Sequence, residues 1–213
     1  MYTSGMKKES LIVWGISAIA LVAVVFGIVK MSDPRSLALS LTQPVSADDH
    51  AQGNAQAKAV LVEYGDYQCP ACASYHPLLK QLMTEMNDKV NLVVRNFPLP
   101  QHANAASAAY AAEAASLQGK FWEMHNMLYE NQNTWAPASN AAEIFGQYAQ
   151  ALGLNIAKFK TDIASDSVKD KVAHDLTTGR SAGINSTPTF FLNGFAIQPN
   201  SYEQLKQLVE SAQ

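Results

Sequence analysis

Two cysteines, Cys69 and Cys72, are the residues of this chain best suited to chemistry, and they stand three positions apart. A disulfide used as a staple gains most by closing a long loop, so a two-residue gap points to a reactive pair. A thiolate is the nucleophile in disulfide exchange, and a Cys-X-X-Cys pair at the start of a helix has a lowered pKa. Cys69 is the attacking thiol in this reading. Cys72, one turn further in, resolves the mixed disulfide. Three other uses of the pair compete with this one. Zinc would require His76, His102, His125 or His174 as further ligands from scattered positions. A c-type haem needs His directly after the second Cys, where Ala73 stands. Copper(I) handling by the soft thiolates stays open.

The elements around the pair must place Cys69 at a helix start. Ala59 to Tyr64 is a short apolar run ending at Gly65-Asp66, which predicts a buried strand. From Pro70 to about Asn87, apolar residues recur at three- and four-residue spacing, which predicts a helix with Pro70 at its first position. The unpaired N–H groups and the dipole of that helix then stabilise a Cys69 thiolate. His76 lies four residues after Cys72 and seven after Cys69, on roughly the same face, and is a candidate for tuning the thiolate. Val90 to Phe97 predicts a second strand, completing a strand–helix–strand unit. Residues 103–181 are alanine-rich and predict helices over about 103–118, 120–131, 140–152, 155–164 and 166–180, with Asn140 and Asn155 as N-caps. A hairpin through Asn193-Gly194 and a final helix capped by Ser201 close the chain.

At this point the residues are similar to the thioredoxin superfamily, through Glu63, Cys69-Pro70-Ala71-Cys72, Pro77 and Thr187-Pro188 before a strand. The helical stretch, with Phe121-Trp122 in it, resembles more narrowly the DsbA-like thiol–disulfide oxidoreductases. The resemblance implies a thioredoxin fold over residues 58–213 with an inserted helical subdomain at about 103–181. It implies a cis Thr187-Pro188 bond facing the cysteines, with the Thr187 backbone placed to pair with a substrate strand. It implies that Glu63 is a buried carboxyl that moves protons at the resolving thiol, and that Pro77 kinks the active-site helix. The strongest oxidants of this family carry His before the second Cys. Ala71 stands there, so Pro70-Ala71 implies a less extreme potential. No cofactor beyond the Cys69–Cys72 disulfide and no metal are expected. The partners implied are exported reduced polypeptides and a membrane quinone-linked thiol oxidase that restores the disulfide; a reductase or isomerase role is the alternative direction.

Residues 11–29 form a charge-free apolar run of 19 residues, roughly 28 Å as a helix and close to a bilayer's hydrocarbon thickness. This predicts one N-terminal transmembrane anchor, with residues 1–10 in the cytoplasm and a linker at 30–57, because Lys7 and Lys8 precede the run. The catalytic domain would then lie on the extracytoplasmic side of the cytoplasmic membrane. A cleaved signal peptide ending at Val45-Ser46-Ala47 is the competing reading, but that site stands far beyond the apolar run. The net charge of −3 and the lack of a Lys/Arg block argue against nucleic acid. The link between anchor and domain has no heptad pattern, which favours a monomer.

Overall fold

The computed structural model describes residues 39–213. The expected anchor, residues 11–29, lies outside the described residues; among those described, no helix is long and apolar enough to cross a membrane. Five strands form one sheet in the order β1-β3-β2-β4-β5. Here β1 is His50–Gly53, β2 Ala59–Gly65, β3 Val90–Asn96, β4 Thr189–Leu192 and β5 Phe195–Ile197. Strands β2 and β3 run parallel, joined by helix α1 (Pro70–Met86), and β4 lies antiparallel to β2. The β4–β5 turn has Asn193 and Gly194 at φ of 49° and 86°, the left-handed pair that a tight hairpin requires. Helix α8 (Tyr202–Ser211) starts at Ser201, whose hydroxyl accepts from the Gln204 N–H.

Between β3 and β4 the chain builds the helical insertion: α2 (Ala105–Ser116), α3 (Phe121–Glu130), α4 (Gln132–Trp135), α5 (Ala141–Ala151), α6 (Ile156–Asp162) and α7 (Asp166–Ser181). Its core gathers the alanines of α2 with Met124, Leu128, Trp135, Phe145 and Phe159. Small side chains on α2 let its neighbours approach closely. Asn155 caps α6 as expected, whereas Asn140 makes no cap bond to backbone and its side-chain amide donates to Glu143 instead.

Alternation along β2 decides what faces α1. Ala59 and Leu61 pack with Leu79, Leu82 and Met83 of α1 and with Leu205 and Val209 of α8, while Val62 and Tyr64 belong to the cluster on the other face. With a period of two, Glu63 falls on the α1 face.

The segment read from the sequence as linker is part of the fold from Leu39 onward. Ser40 bridges to Phe195 on the open side of β5, and β1 pairs with β3. Arg95, 2% exposed, is held by both carboxylate oxygens of Asp49 (2.7 and 2.9 Å) and by the carbonyls of Gln43 and Pro44 (both 2.9 Å). These residues bind through carbonyls, a carboxylate and an exposed edge strand, none of which leaves an apolar period in the sequence. A chain cut after Ala47 would lose both of those carbonyls and the β5 pairing.

Candidate active site

Strand β2 delivers the chain to Gly65, and the loop 66–69 turns it into α1. Asp66 is buried and accepts from Gln68 N (2.7 Å), Leu99 N (2.8 Å) and His102 Nδ1 (2.7 Å), while its own carbonyl accepts from Cys69 N (3.0 Å). From the insertion, Gln132 Nε2 donates to the carbonyls of Tyr67 (2.7 Å) and Cys69 (3.0 Å). The loop is therefore fixed from the β3–α2 connection and from α4 together. Asp66, His102 and Gln132 are positioning residues that sequence reasoning missed.

Cys69 is the N-cap residue of α1, with extended backbone and Pro70 directly after it. The first turn carries no acidic side chain, so a Cys69 thiolate is the anion that meets the free N–H groups. Its pKa is lowered to about 5, chiefly by a hydrogen bond from Cys72, with help from Thr187 and the N–H groups of Cys72 and Ala71, against the opposing effect of burial. Both cysteines are free. Cys69 is 7% exposed and Cys72 is fully buried, so an incoming sulfur reaches Cys69. Burial, and then the neighbouring Cys69, push the Cys72 thiol far up.

The Thr187-Pro188 bond is cis. The Cys69 thiol donates to the Thr187 carbonyl at 3.3 Å, and Thr187 Oγ1 is buried without a partner, free to donate once the sulfur ionises. Glu63 is 1% exposed, and its Oε2 has no hydrogen-bond partner. Burial, reinforced by Cys69, raises its pKa to about 8, so the carboxyl is mostly protonated at neutral pH. Its charge in turn is among the causes that raise Cys72. Pro77 sits inside α1.

His76 lies on the buried face of α1 together with Cys72. It is 5% exposed and packs into the insertion, its ring centroid 5.3 Å from His125 and 5.0 Å from Tyr129. Burial, and after it Lys80, depress its pKa to about 4, so the ring is neutral and supplies no charge to Cys69. Of the other candidate zinc ligands, His102 is bonded to Asp66 and His125 to the Tyr67 hydroxyl. Among the described residues no three Cys, His, Asp or Glu side chains gather as a metal site.

The family model for thioredoxin matches residues 46–211. The chain belongs to the thioredoxin family. Its fold is the DsbA-like form. BdbD of Bacillus subtilis, in its oxidised crystal structure, superposes with a TM-score of 0.72 at 23% identity, covering 82% of this chain and 97% of that one. The thiol-disulfide exchange protein alpha-DsbA2 of Wolbachia pipientis superposes with a TM-score of 0.69 at 17% identity, covering 79% and 89%. A curated relative, the Na(+)/H(+) antiporter NhaA 1 of Mycolicibacterium vanbaalenii, is 37% identical over 192 residues, 84% of this chain. The thioredoxin-family chain spans only 30% of that relative's length.

Proposed function

We propose that this thioredoxin-family chain is a protein thiol–disulfide oxidoreductase that introduces disulfides into exported polypeptides through Cys69 and Cys72. The observation that carries this reading is the asymmetry of the pair, one thiol slightly exposed and acidic, the other fully buried and hard to ionise. A substrate thiolate attacks Cys69 of the oxidised enzyme, and Cys72 leaves and is protonated by Glu63. The backbone of Thr187 before Pro188 offers a carbonyl beside the sulfur to an extended substrate. The direction follows from which form is stabilised. At pH 7, a thiol that ionises near 5 and not near 8.5 favours the reduced enzyme by about 3 kcal/mol, or roughly 60 mV towards oxidant. Ala71 adds no polar side chain to that stabilisation.

The chain in this proposal is a monomer held at the extracytoplasmic face of the membrane by residues 11–29 and reoxidised by a membrane quinone-linked thiol oxidase. The test is catalysed oxidative refolding: a reduced, unfolded substrate protein should recover its disulfides faster with the oxidised chain than with glutathione disulfide alone. Loss of that acceleration in Cys69→Ser is expected. Equal acceleration by Cys69→Ser and the unaltered chain would refute the assignment.

A further inference from the structure

A half-open cleft of about 450 Å³ lies beside the active-site helix, lined by Ala73, His76, Pro77 and Lys80 of α1 and by Tyr129 and Glu130 of α3. The Lys80 and Glu130 side chains at its rim are half exposed and paired with each other. Its inner wall is apolar apart from Tyr129 and His76, whose Nε2 is buried without a partner. Tyr129 reaches from this cleft towards Glu63. A methyl group placed on Gly65 would stand 2.9 Å from Tyr129 Oη and 3.2 Å from Glu63 Oε1, so both oxygens border the small space beside the one residue of β2 that has no side chain, without a direct hydrogen bond between them. The ring of Tyr129 is wedged between Tyr67 (4.9 Å), His76 (5.0 Å) and His125 (5.1 Å), which fix its direction.

After giving its proton to Cys72, Glu63 stays a buried carboxylate in the reduced enzyme until another proton reaches it, yet it is 1% exposed. The groups near it are Cys69 at the start of α1, Cys72 from α1, Tyr67 from the loop and Tyr129 from α3, while Phe190 pairs with it from β4. Of these, Tyr129 alone also lines the cleft. We propose that Tyr129 passes protons between water in this cleft and the buried Glu63–Cys72 pair, as a positioning residue that acts through Glu63. This rests on the oxidoreductase reading above.

In the oxidising direction, a substrate thiolate attacks Cys69 Sγ. The bond between Cys69 and Cys72 breaks, and Cys72 Sγ leaves with the electron pair. The Glu63 carboxyl gives its proton to Cys72; the Tyr129 hydroxyl then passes its own to Glu63 through an intervening water and, in the same movement, takes one from cleft water. A second substrate thiolate then attacks the substrate sulfur of the mixed disulfide and releases Cys69 as a thiolate. Two electrons have moved from the substrate dithiol to the enzyme, and one proton has arrived at Cys72. Tyr129 is held neutral by burial and by the surrounding acidic groups, so it hands a proton on without keeping a charge.

The test is Tyr129→Phe in the full chain, which keeps the packed ring and removes the hydroxyl. The oxidised protein is mixed with dithiothreitol at neutral pH, and reduction is followed by tryptophan fluorescence. The variant should react about tenfold more slowly, less than the 10²–10⁴ of a direct acid–base group because water partly replaces the hydroxyl. Its rate should rise with buffer concentration, as small acids take over delivery, while the unaltered chain's should not. The equilibrium constant with glutathione should stay within about twofold. Gly65→Ala, which displaces the same hydroxyl from the strand side, should give the same signature. A variant rate within about twofold of the unaltered chain, or a slowing with no buffer dependence, overturns the relay. If the unaltered chain does not exchange with dithiothreitol at all, the oxidoreductase reading falls and the relay with it.

Discussion

Replacing Glu63 by glutamine should make this protein more stable at neutral pH, and the gain should vanish in acid. Glu63 ionises near 8 in the fold, because burial without a hydrogen-bond partner penalises the carboxylate, against about 4.5 in the unfolded chain. Its folded pKa is therefore raised, so the unfolded state loses the proton first. The penalty is absent below about pH 4.5, grows as pH rises and levels off above about 8. With a shift of this size, folding at pH 7 is opposed by about 3 kcal/mol, and at pH 4 by almost nothing. The amide introduced by the substitution brings its own constant offset, since a buried N–H without a partner costs roughly 1–3 kcal/mol. That offset cancels when the two pH values are compared. The assay is urea unfolding of the reduced protein and of Glu63→Gln at pH 4 and pH 7, with a phosphine reductant. The stability difference between them should move by about 3 kcal/mol in favour of the variant from pH 4 to pH 7. A difference that is the same at both pH values would refute a raised Glu63 and, with it, the proton-donor role assigned to that carboxyl.

Three further outcomes are expected. Thr187→Val removes the hydroxyl poised beside Cys69, so the thiolate's absorbance titration should move to higher pH. The reduction potential should fall by about 30–65 mV, the equivalent of a 1.5–3 kcal/mol hydrogen bond to a charged group. Cys72→Ser should trap mixed disulfides between Cys69 and substrate proteins, visible on non-reducing gels; trapping that instead needs Cys69→Ser would reverse the two roles. Asp49→Ala leaves the Arg95 guanidinium buried without its carboxylate, and should lower stability by roughly 3–5 kcal/mol in thermal or denaturant unfolding.

Much of the fold was legible because it rests on local signals. The apolar run before Gly65, the Pro70 helix start, the Asn193-Gly194 turn and the Ser201 cap each declare themselves within a few residues. Strand β1 does not, because His50–Gly53 is an edge strand with three of four residues exposed and no alternation to read. The four-residue α4 is too short for a helical period. The frame of the site was hidden for a different reason: Asp66 meets His102 at 36 positions' distance, and Gln132 meets the Cys69 carbonyl at 63. Such contacts are set by how the insertion packs. The surroundings of His76 were hidden by the same cause, since helical spacing gives a residue's face but not what covers it, and here Tyr129 and His125 cover it.

The reduction potential of the Cys69–Cys72 pair decides whether exchange runs towards oxidation of the substrate. Equilibration of the purified domain, residues 39–213, with glutathione buffers at pH 7 should give a value between the strongest oxidants of the family, at about −120 mV, and thioredoxin, at about −270 mV. A potential at or below about −250 mV would contradict the oxidase direction and favour reduction or isomerisation of substrate disulfides.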